Sequence, residues 1–256
     1  MGAVVRMFAA GAADAADATG MAGAEGAAGA RSAAGTASGS GPLGTAGVAD
    51  ADGTAAGRYA LAARDPGPLR SFDPVQVGHL ESAVWVAYYR RQWLRLLGLS
   101  MVLVHRAFRM DWPRTLHGAW LLLRANQLWA PSPGNDPDGA RRCMRRFYAL
   151  MRLTHGGPRD PARAAALEVD WWAAHREHQQ HPDGSSAVVT ALARLYAYLY
   201  SVDEAAVQPA AELRAEAMDL SDEWVGQGCP PHSSLIVAER AALVRSYASL
   251  LAAVHR

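Results

Sequence analysis

From residue 73 onward, apolar side chains recur at helical spacing, and short runs of Pro, Gly, Asn and Asp separate the stretches that carry them. Three stretches open on the same signal. Asp73-Pro74, Asp136-Pro137 and Asp160-Pro161 each set a capping carboxylate before a proline, which suits the first helical turn because its missing N–H would have no partner there. The pattern predicts a first helical region from Pro74 to about Arg109, with a bend at Gly98 and a stop at Trp112-Pro113. A second helix is expected from Thr115 to Trp129, and a third from Pro137 to His155, closed by Gly156-Gly157-Pro158. A central pair follows: Asp160 to His181, a Pro182-Asp183-Gly184 turn, and a helix from Ser185 or Ser186 to Val202. A short turn from Asp203, a helix from Pro209 to about Val225 and a last helix from Ser234 to His255 complete the chain.

No strand pattern and no internal repeat appear. The expectation is an all-α fold, a single antiparallel, bundle-like domain of about seven helices over residues 67–256. Ser186 to Val202 has only Arg194 as a charged residue, so it is expected in the middle of the bundle.

Residues 1–66 break this pattern. They are built from Ala, Gly, Ser, Thr and Asp with few large apolar side chains, too little to offset the entropy of ordering, and are expected to form a disordered tail. Met7 and Met21 are alternative starts. Gly39-Ser40-Gly41-Pro42-Leu43-Gly44 has the spacing of a dinucleotide fingerprint, but neither strand nor helix flanks it, so it reads as a chance match.

Composition narrows the chemistry. The chain has 256 residues, half of them hydrophobic, and a formal net charge of +1, which argues against nucleic-acid binding by the chain as a whole. Lysine is absent; all 25 basic residues are arginine, which removes Schiff-base chemistry and the phosphate-binding loop lysine. Cys143 and Cys229 form no CxxC pair and suggest neither a disulfide framework nor a thiolate zinc site. GxSxG and HExxH are both missing. The longest uncharged apolar run, Leu96 to Val104, is far shorter than a membrane span, and the N-terminus reads as neither signal peptide nor myristoylation site. A soluble, cytoplasmic protein without membrane contact is expected.

Candidate chemistry concentrates on the helix after Pro161. Ala164, Leu167, Trp171, Ala174 and His178 share one arc, with Glu168, Trp172 and His175 on its shoulder. A carboxylate so placed must find a partner or take up a proton. His175 and His178, three residues apart, are candidate ligands for iron, manganese or zinc, with Glu81, Glu168 and Glu239 as carboxylate donors. Trp85, Tyr88 and Trp171 are candidate pocket aromatics for a bound ligand or cofactor. Arg141, Arg142, Arg145 and Arg146 collect opposite Ala140, Met144, Phe147 and Met151, as a solvated face or as a surface for an anion or an acidic partner. An acidic stripe, Glu212, Glu216, Asp219 and Glu223, offers it a complementary partner within the fold or across a homodimer as a further reading.

Two readings of function stand at this point, and the sequence leaves open whether the protein is an enzyme. The leading one is a non-catalytic helical protein that binds a protein partner or a small ligand. The alternative is a metal-dependent, di-iron-like oxidoreductase using the His and Glu residues above.

Overall fold

A computed structural model describes residues 67–181 and 185–255; the expected tail and the Pro182-Asp183-Gly184 turn lie outside the described residues. The described residues form a short 3-10 turn, Pro68–Arg70, and eight α-helices: α1 (Pro74–Tyr89), α2 (Trp93–Phe108), α3 (Trp112–Trp129), α4 (Pro137–His155), α5 (Pro161–Gln180), α6 (Ser186–Tyr200), α7 (Glu204–Gly226) and α8 (Ser234–Val254). No strand occurs among them. Each helix packs on the next, and α8 returns to pack on α1.

The three aspartate–proline signals act as expected. Asp73, Asp136 and Asp160 each accept a hydrogen bond from a backbone N–H of the first turn, and Gly156 closes α4 in the left-handed region at φ 78°. Three boundaries differ from the expectation. The first helical region breaks at Arg90–Gln92 rather than bending at Gly98, with Arg91 at φ 55°. The break is held from a distance, because Arg90 donates to the carbonyls of Cys229 and Pro230 at 3.5 and 3.0 Å. Trp112-Pro113 opens α3 instead of stopping a helix: Asp111 caps it by accepting from the Arg114 N–H, and Pro113 occupies its first turn. α7 starts at Glu204, with Pro209 inside it. Pro209 and Ala205, whose carbonyl loses its helical donor there, both face solvent, where water supplies the missing bond.

Most buried apolar residues form one cluster, centred on Leu103, Phe108, Met144, Phe147, Trp171, Trp172, Leu192 and Leu195. A small satellite of Ala217, Ala242 and Leu243 joins α7 to α8. α6 lies between α5 and α7 but is not enclosed on every side: Ala187, Thr190 and Arg194 are exposed. The one apolar residue among these, Ala187, costs little to leave in water.

α1 and α8 approach closely at Gly78. A β-carbon there would lie 2.8 Å from Val244 Cγ2 and 3.0 Å from the Val244 backbone nitrogen. Helix propensity favours Gly→Ala by about 1 kcal/mol, whereas forcing a methyl into a filled contact costs about 1–3 kcal/mol. The contact should win, because backbone cannot step aside as a side chain can. Gly78→Ala is therefore expected to lower the urea midpoint; a rise would show that α1 and α8 can part at no cost.

Candidate functional site

The strongest buried charges lie where α1, α7 and α8 meet. Glu81, Arg214 and Tyr247 are all buried. Arg214 donates to both oxygens of Glu81, through Nη1 to Oε2 at 2.8 Å and through Nη2 to Oε1, and the Tyr247 hydroxyl donates to Oε2 at 2.5 Å. Burial pulls the Arg214 pKa down, but the facing Glu81 carboxylate more than reverses this and holds it above the ordinary arginine value. Tyr247 is likewise held well above the usual phenol range, by burial first and then by the Glu81 charge. Glu81 was a candidate metal ligand; here a guanidinium already neutralises it.

Glu168 stands on α5 in a second buried set. The Tyr148 hydroxyl donates to its Oε2 at 2.5 Å and the Trp171 indole N–H to its Oε1 at 2.9 Å. Burial outweighs these hydrogen bonds and pushes the carboxyl up to about 8, so at neutral pH it is mostly protonated.

The two histidines face α7. His175 Nε2 lies 3.0 Å from Asp222 Oδ2, and His178 Nε2 lies 3.1 Å from Asp219 Oδ1. Gln179 donates to the other Asp222 oxygen at 3.0 Å. These contacts fasten α5 to α7. Glu239 is buried on α8. Glu81, Glu168 and the two histidines thus have different partners, and among the described residues no three His, Cys, Asp or Glu side chains gather as a group that could hold a metal ion.

The candidate pocket aromatics also separate. Trp85 stacks on Tyr89 at 5.4 Å, and Tyr88 meets Tyr89 and Trp93 edge-on. Trp171 instead stands beside Glu168 and Trp172.

A different assembly is exposed. On α3, Trp112, Leu116 and Trp120 fall four residues apart and are 53%, 51% and 59% exposed, opposite the buried Leu121, Leu122, Ala125 and Trp129. On α2, Trp93, Leu94, Leu97 and Val102 are also exposed, while Leu96, Leu103 and Ala107 are buried. Both helices therefore leave large apolar side chains uncovered while burying others. Where the end of α2 meets the start of α3, the His105 ring stacks on Trp112 with centroids 4.5 Å apart.

No family model, curated protein or solved structure matches this chain. Its function must be read from this geometry alone.

The α4 arginines border the same face. α3 packs on α4, and Arg124 of α3 acts with Arg142 and Arg146 of α4 on Cys143, each favouring its thiolate against the larger effect of burial. Arg142, Arg145 and Arg146 are exposed. Pairing of the α4 arginines with the acidic stripe of α7 gives way to other partners: Arg141 pairs with Asp138 and Asp170, Arg142 with Asp136, while Glu216 pairs with Arg245 and Asp219 with His178. Charge is distributed unevenly along the chain. Residues 82–155 contain twelve arginines and three acidic residues, a net +9, while the whole chain is +1; the remainder therefore carries −8.

Proposed function

We propose that this chain is a non-catalytic docking protein whose working surface is the outer face of α2 and α3 with the arginine border of α4. The observation that carries this is the set of large apolar side chains that α2 and α3 leave uncovered. Monomeric proteins expose single apolar side chains freely, but three tryptophans and several leucines exposed on two consecutive helices mark a surface that is meant to be covered. The buried carboxyls support a structural role: Glu81 and Glu168 are enclosed by neighbours that satisfy them, and each ties together separate helices.

A photoreactive amino acid placed at Leu116 in the full chain, in living cells, should form adducts with protein or lipid that are absent when it is placed at Ala248 of α8, another exposed helix position. Equal labelling at both positions, or none at Leu116, would remove the docking reading.

A further inference from the structure

We infer that the α2–α3 face rests on an anionic bilayer surface, the protein lying on the membrane without crossing it. The inference depends on the docking reading above and names its partner. No described helix is long and apolar enough to cross a membrane. Contact of this kind reverses the expectation, drawn from sequence alone, of a protein without membrane contact.

Three observations select a bilayer over other occupants. The first is the side-chain chemistry. Trp93, Trp112 and Trp120 are exposed on the same helices as Leu94, Leu97 and Leu116. Tryptophan prefers the headgroup boundary because its ring is apolar and its N–H polar, while leucine supplies the area that enters the acyl layer. The second is charge. α2 and α3 contain no acidic residue, while Arg95 and Arg106 on α2, Arg124 on α3 and Arg91 just before α2 are exposed. With Arg142, Arg145 and Arg146 on α4, they lie within residues 82–155, which carry a net +9. An anionic surface attracts this arginine-rich part of the chain. The third is the poor fit of a second copy. A second copy of this face would bring the same arginines and no acidic residue on α2 or α3 to pair with them, whereas an anionic surface pairs with them all.

The full-length chain should float with vesicles of three parts phosphatidylcholine to one part phosphatidylserine, and not with phosphatidylcholine alone. Tryptophan emission should shift to shorter wavelength on binding. Since each arginine near such a surface is worth roughly a fivefold change in partitioning, Arg124→Glu, Arg142→Glu and Arg146→Glu together should weaken binding at least a hundredfold, and 0.5 M salt should mimic them. Leu97→Ser, Leu116→Ser and Trp120→Ser should abolish both binding and the emission shift. Helical circular dichroism of these surface variants should match the parent, which separates lost binding from lost folding.

Failure to bind anionic vesicles overturns the proposal, as does binding that neutral vesicles reproduce or the variants leave unchanged. Protein-only adducts at Leu116 without vesicle binding would identify a protein occupant and leave the docking reading standing. A concentration-dependent dimer lost in the Leu97, Leu116 and Trp120 variant, again without vesicle binding, would identify a second copy. Absence of adducts together with absence of vesicle binding would defeat both readings.

Discussion

Arg214→Met should destabilise the protein by about 3–5 kcal/mol, the range for removing one member of a buried ion pair. The loss is large because Glu81 is left behind, fully buried, with only the Tyr247 hydroxyl still donating to it. An unpaired carboxylate in that position takes up a proton or opens the junction of α1, α7 and α8. Tyr247→Phe, which removes one hydrogen bond and leaves the ion pair, should cost less, about 1–3 kcal/mol. The double variant Glu81→Leu, Arg214→Met removes both charges and should recover most of what Arg214→Met loses, because a well-packed apolar pair avoids the desolvation of two ions. Urea unfolding of the three variants at pH 7 measures this. A double variant as unstable as Arg214→Met would show that the site depends on its polar geometry rather than on charge balance.

Glu168 should make stability fall as pH rises through the neutral range. Its carboxyl is pushed up to about 8 by burial, from an ordinary value of 4.5. The folded chain therefore holds a proton that the unfolded chain releases above about pH 4.5. The contribution is fully present below pH 4.5, declines between 4.5 and 8, and is lost above the folded value. Converted at 1.36 kcal/mol per pKa unit, the shift corresponds to roughly 5 kcal/mol across that window. Glu168→Gln stays neutral at every pH and can still accept from Trp171 while facing the Tyr148 oxygen. Urea midpoints from pH 5 to 9 should drop steeply for the parent and much less for Glu168→Gln. Parallel profiles would mean that Glu168 is ionised in the fold, or that the α5 core opens to admit water.

Part of this interior was legible in sequence. Glu168 and His175 fall on the inner shoulder of α5 by spacing, and both are buried. Their partners were not legible in the same way. Asp222 and Tyr148 lie 47 positions from His175 and 20 from Glu168. Arg214 did leave a signal: Val207, Ala210, Ala211, Arg214, Ala217, Met218 and Ser221 recur at helical spacing and are all buried, so an arginine stands inside an apolar row. Such a residue requires a buried anion, although the row does not say which. The exposed α2–α3 face also had a readable trace in Trp112, Leu116 and Trp120, four residues apart. Read together with the apolar row opposite, however, that trace resembles a helix buried on both sides.

The all-helical character and the helix starts at Asp73, Asp136 and Asp160 were determined by the sequence itself, because capping, proline geometry and apolar spacing act within one or two turns. Tertiary structure decided the break at Arg90, held by carbonyls 139 and 140 residues away, and the choice of Arg214 as the partner of Glu81, 133 residues along the chain. It also decided which apolar side chains of α2 and α3 remained uncovered. Periodicity records that a face is apolar; whether another helix covers it depends on how the whole chain closes, and here α8 closes on α1 and the outer side of α2 and α3 is left exposed.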